Sequence, residues 1–119
     1  MFAYFQRIRE ILSQVEELEA TSLAQAVEIL SEAIKKKQAI FVFGASHAGI
    51  LAEEMFYRAG GLVSINPIFG RELMLDTRPI SATSQMERLV GYGQLLAKKT
   101  PFKAGDVLIV HSVSGRNPV

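Results

Sequence analysis

The sequence predicts an α/β fold: a three-layer α/β/α sandwich on a parallel sheet, preceded by two N-terminal helices. Three observations carry that prediction. Ala39-Ile40-Phe41-Val42-Phe43, Leu62-Val63-Ser64-Ile65-Asn66 and Asp106-Val107-Leu108-Ile109-Val110 are short, largely apolar runs bounded by turn residues, the pattern of strands buried in a parallel sheet. Helical periodicities separate them, so the order reads α-α-β-α-β-loop-α-β. The first and last runs feed at once into small, hydroxyl-bearing loops, at the strand ends where open α/β sheets hold ligands.

Taken in order, Phe5, Ile8, Ile11, Leu12, Val15 and Leu18 recur at spacings of three and four and predict an amphipathic helix over about 2–19. Thr21 or Ser22 can cap a second helix running to Lys37, with Leu23, Ala26, Val27, Leu30, Ala33 and Ile34 as its apolar set. Lys35-Lys36-Lys37 suits the negative end of that helix and reads as a solvated terminus. The strand 39–43 then leads into Gly44-Ala45-Ser46-His47 and a helix over about 48–59 closed by Gly60-Gly61. After the strand 62–66, Pro67, Gly70 and Pro79 punctuate an irregular stretch to Ser84, long enough to expect a functional or contact role. Ser84 and Glu87 have capping-box spacing at the head of a helix through Lys99 that contains Gly91 and Gly93. Thr100-Pro101 ends it, Gly105-Asp106 turns the chain, and the last strand follows.

The 119 residues suit a single domain, with a helical part at 1–37 and an α/β part at 38–119. A net charge of +1 supplies no field for nucleic acid or a membrane surface, so neither partner is expected. The absence of cysteine excludes disulfides, thiolate metal sites and cysteine nucleophiles, and two histidines leave no metal centre or other cofactor expected. There is no apolar run of about 18 residues and no signal-peptide order at the start, which makes the cytoplasm the default location.

The chemistry lies in two loops, Gly44-Ala45-Ser46-His47 and Ser112-Val113-Ser114-Gly115-Arg116-Asn117. Small residues let backbone N–H groups approach an oxyanion, and hydroxyls add donors without bulk, which suits a phosphate ester better than a metal or a nucleobase. The same residues also serve plain turns. Neither loop is a P-loop, and the glycine spacing of a dinucleotide fingerprint is absent.

Ser112-x-Ser114-Gly115 after an apolar strand resembles the second phosphate loop of SIS (sugar isomerase) domains, whose usual form is Ser-x-Ser-Gly-x-Thr. Phe41-Val42-Phe43-Gly44-Ala45-Ser46-His47 resembles the first loop of that fold. The run from Leu51 to Leu62 is similar to a bacterial subgroup of phosphosugar-binding SIS proteins. Asn117 departs from the pattern, standing where the family often has threonine.

The resemblance covers essentially the whole chain. It implies an SIS-type α/β/α fold, a phosphosugar ligand and a homodimer or higher homo-oligomer. It also implies an N-terminal portion of the domain, since the family continues past this loop with a helix and further strands. Phosphosugar contacts are then expected from Gly44, Ser46, Ser112, Ser114, Gly115 and Asn117. Arg116 is either a phosphate partner or a solvated arginine. For moving a proton between sugar carbons, the candidates are His47 and one of the neighbours Glu53 and Glu54, of which Glu54 is favoured; the alternative for Glu54 is a surface ion pair with Arg58. His111 reads as a buried strand-end histidine. The expected function is phosphosugar binding in sugar-phosphate or amino-sugar metabolism, as an isomerase-like or lyase-like enzyme. The alternatives are a non-catalytic phosphosugar sensor and an inactive truncated domain.

Overall fold

The computed structural model describes residues 2–119. Its helices and strands, in chain order, are α1 (Ala3–Leu18), α2 (Ala20–Lys35), β1 (Ile40–Gly44), α3 (Gly49–Met55), β2 (Ile65–Pro67), α4 (Ser81–Met86), α5 (Tyr92–Lys99) and β3 (Val107–His111). Single 3-10 turns occupy Ser46–Ala48 and Arg71–Leu73. The strands form an open sheet of order β2-β1-β3, parallel throughout, as the α/β reading requires.

Alternation of side chains across a strand decides what is buried. Ile40 stands opposite Ile65 and Val107, and Val42 opposite Pro67 and Ile109. These residues share a face on which Ala33 of α2 and Ala52 of α3 close the core, with Leu30 and Met55 at its margin. Alanine at both helix contacts lets the helices approach the sheet closely, and Ile40 and Val42 are left with no exposed surface. On the other face Phe41 meets Phe102 edge-to-face, with ring centroids 4.7 Å apart. Leu108 and Val110 of β3 lie in register with Phe41 and Phe43 and stay 46% and 58% exposed, so that face is only partly covered.

One carboxylate sets the register of β3. Asp106 accepts the Ala39 N–H at 2.9 Å through Oδ1 and the Lys103 N–H at 2.8 Å through Oδ2. The Val107 N–H then donates to the Ala39 carbonyl at 3.0 Å. The two strands therefore start together, and Gly44 and His111 end side by side.

Several boundaries differ from the sequence reading. α2 begins at Ala20 with no side-chain cap, and Thr21 and Ser22 lie inside it. The Glu19 N–H still bonds the Val15 carbonyl and the Leu23 N–H bonds the Glu19 carbonyl, so the chain re-enters helix without a separate capping residue. α3 stops at Met55 rather than near Ala59, because Phe56 turns extended and lays its ring against Phe69, centroids 6.0 Å apart. β2 is a short edge strand displaced towards Pro67, a position that tolerates proline's missing N–H. The helix expected from Ser84 to Lys99 is two helices. Gly91 sits at φ 85°, a left-handed conformation that glycine adopts cheaply, and it breaks the run. Ser84 lies within α4, and Glu87 follows its last residue instead of completing a capping box.

The first helix lies outside the core. α1 contains no buried residue, and Tyr4, Phe5, Leu12 and Leu18 are exposed. The Cα radius of gyration is 16.4 Å, against about 13.5 Å for a compact chain of this length.

Candidate functional site

The topology alone marks one place for a ligand. From β1 the chain crosses to β2 on one side and later to β3 on the other, so the winding reverses at β1. In open parallel sheets the crevice at the carboxyl ends of such a pair is the binding position. Here it is a cleft of about 670 Å³, open to solvent and lined by both hydroxyl-bearing loops together with α4.

The first loop is held in an unusual conformation. Gly44 ends β1 so close to the following turn that a Cβ there would lie 2.4 Å from the Ala48 carbonyl oxygen. Ser46 then adopts φ 54°, a left-handed conformation that L side chains seldom take. Such conformations cluster where a side chain must be aimed. The Ser46 hydroxyl faces the Thr83 hydroxyl of α4 at 3.4 Å, and Thr83 is the one buried polar residue of the described chain. In the second loop the Ser112 hydroxyl accepts the Gly115 N–H at 2.9 Å, which closes a tight turn and leaves its own proton free to donate. Ser114 and Asn117 are exposed at the mouth.

Of the residues singled out from the sequence, the cleft gathers Ser46, His47, Ser112, Ser114 and Asn117. Gly44 and Gly115 are not among its lining residues and act on the loops: one allows the close turn, the other donates the N–H that folds the second loop. Glu54 is elsewhere, exposed and ion-paired with Arg58 at the i+4 position. Sequence reasoning missed Thr83, Ser84 and Glu87 as lining residues and placed His111 in the interior, whereas it also lines the cleft. The available signal for Glu87 was a weak one, Gly91, whose break in the helix frees the preceding turn from a continuous helical face.

The irregular stretch after β2 supplies the apolar wall through Leu75 and Ile80. It is tied down by Tyr92, whose hydroxyl donates to Glu72 Oε2 at 2.5 Å, and by Thr77, which donates to the Arg71 carbonyl at 2.5 Å. The Tyr92 hydroxyl holds the Glu72 carboxyl below its ordinary value. Partial burial, then the bond and charge of Glu72, push Tyr92 up to about 12. The tyrosine therefore remains a donor throughout the neutral range.

Among the described residues no group of three or more His, Cys, Asp or Glu side chains is gathered to hold a metal. No described helix is long and apolar enough to cross a membrane. The cleft offers hydroxyl donors, two imidazoles and the Glu87 carboxylate among apolar side chains that include Phe43, Leu75, Ile80 and Val110.

Comparison with known proteins identifies the family. A family model described as an SIS domain matches residues 3–119. The UPF0309 protein of Shouchella clausii is 52% identical over 116 residues, covering 98% of this chain and 47% of that protein. The UPF0309 protein of Oceanobacillus iheyensis is 48% identical over 119 residues, covering all of this chain and 48% of that one. The UPF0309 protein of Halalkalibacterium halodurans is 44% identical over 117 residues. The chain spans about half the length of these curated relatives.

Proposed function

We propose that this chain, which belongs to the SIS-domain family, binds a phosphorylated sugar across the carboxyl ends of β1 and β3. The observation that carries the reading is the convergence of Ser46, Ser112 and Ser114 from two separate loops on one cleft at the winding reversal. Their hydroxyls take the phosphate, with Asn117 beside them, and the sugar extends towards α4. Hydroxyls and backbone N–H groups are enough to hold a phosphate dianion without a metal.

On this reading the chemistry is isomerase-like, on a sugar or amino-sugar phosphate. Aldose–ketose exchange requires a base that removes a proton from one carbon and returns it to the next. Glu87 and His47 are the side chains in the cleft that suit that task, while Glu54 lies outside the cleft, paired with Arg58. Titration calorimetry with glucosamine 6-phosphate and with unphosphorylated glucosamine tests the ligand class. The phosphorylated sugar is expected to bind and the free sugar not to. The same mixture in D₂O reads catalysis as deuterium uptake at the carbon next to the carbonyl.

Ser114→Ala is expected to weaken phosphosugar affinity by roughly 1–3 kcal/mol, the contribution of a hydrogen bond to a charged group, while leaving thermal stability unchanged because the side chain is exposed. Equal affinity in the variant would remove Ser114 from the site.

The protein is also expected to assemble with copies of itself through α1. What supports this is a 16-residue helix with Phe5, Leu12, Val15 and Leu18 all exposed along it, since exposed apolar faces mark interaction sites. Sedimentation equilibrium is expected to show a dimer or larger species, and a monomer at all concentrations would contradict it.

A further inference from the structure

We infer that His111 is a ligand contact, a hydrogen-bond donor to the molecule in the cleft through Nε2, and that it does not supply the base. The inference rests on the phosphosugar reading of the same cleft. His111 is the last residue of β3, half-buried, and in register with Gly44, whose lack of a side chain leaves the imidazole unshielded on that side. It lines the cleft together with Ser46 and Ser112, one from each loop.

Its two ring nitrogens are in different situations. Nδ1 is buried and has no hydrogen-bond partner. Nε2 is not among the buried atoms without a partner, so it is the nitrogen left to meet a bound molecule. A neutral imidazole has a single proton to place. On Nδ1 it would be a stranded buried N–H, a rarer and costlier defect than a stranded acceptor. The proton therefore sits on Nε2, the tautomer opposite to that of histidines whose Nδ1–H is fixed by a carbonyl or carboxylate. With the proton on Nε2, no lone pair faces the cleft. The ring can donate to a phosphate or sugar oxygen and cannot act as a base, which leaves proton movement to Glu87 and His47.

Two measurements on the intact protein test this. Long-range ¹H–¹⁵N correlation of the free protein at neutral pH is expected to show the Nε2–H tautomer for His111. The Nδ1–H tautomer would overturn the inference whatever the ligand proves to be. Titration with glucosamine 6-phosphate then reads the contact. H111F is expected to bind about tenfold more weakly. H111Q, whose amide nitrogen reaches the Nε2 position, is expected to restore most of the affinity, and H111N, which mimics Nδ1, is not. Wild-type binding with an unchanged H111F, or rescue by asparagine instead of glutamine, would overturn the donor role alone. No binding by the wild-type protein would overturn the phosphosugar reading and the donor role with it. Should H111F fold poorly, the glutamine–asparagine comparison decides the matter between two polar side chains of similar character.

Discussion

Gly44→Ala is expected to lower stability by about 3 kcal/mol, the upper part of the range for forced overpacking, and to weaken phosphosugar binding at least tenfold. The added Cβ would stand 2.4 Å from the Ala48 carbonyl oxygen, 2.5 Å from its carbon and 2.8 Å from the Gly49 nitrogen. All three are backbone atoms, so no side chain can swing aside. Relief requires the turn at Ser46–Ala48 to move away from the end of β1. That motion carries the Ser46 hydroxyl off Thr83 and out of line with Ser112 and Ser114. Urea denaturation and calorimetry on the one variant check both halves. A variant as stable as wild type that still binds would show that the close turn is not needed for the site.

Ile40→Ala is expected to cost about 2–5 kcal/mol, as large-to-small changes in packed cores do. Ile40 has no exposed surface and stands at the centre of the sheet, opposite Ile65 on one side and Val107 on the other. Ala33 and Ala52 carry no spare atoms to fill the gap. Against a total stability of about 5–15 kcal/mol for a domain, such a loss brings the midpoint of urea unfolding down sharply. The molecules that remain folded are expected to bind phosphosugar with unchanged affinity, because Ile40 lies at the opposite end of β1 from Gly44 and the cleft. Stability and binding thus separate in Ile40→Ala and fall together in Gly44→Ala.

The contrast shows what the sequence makes legible. Strand cores announce themselves: Ile40-Phe41-Val42 and Val107-Leu108-Ile109 are apolar because both faces of a parallel strand need cover, and their pairing follows from that. The loops after them are legible too, since Ser46, Ser112 and Ser114 follow directly on strands whose ends meet. What is hidden depends on distance along the chain. Nothing local to Glu87 beyond the break at Gly91 says that it lines the cleft with Ser112, because that placement depends on how the stretch after β2 folds back. Glu54 looked suitable because it sits on the helix that follows the first loop, but Arg58 one turn on binds it at the surface. The early end of α3 was equally unreadable, for Phe56 leaves the helix to meet Phe69, thirteen residues away in the chain (56 to 69).

The central claim is that one cleft, built from the two serine loops and α4, holds a phosphorylated sugar. Amide shift mapping of the ¹⁵N-labelled protein on addition of glucosamine 6-phosphate tests it most directly. The predicted result is saturable shifts confined to Ser46, His47, Thr83 and the segment from His111 to Asn117, absent with unphosphorylated glucosamine. Shifts clustered instead around Phe56 to Val63, where the chain forms a separate hollow, or no saturable shift at any concentration, would contradict it.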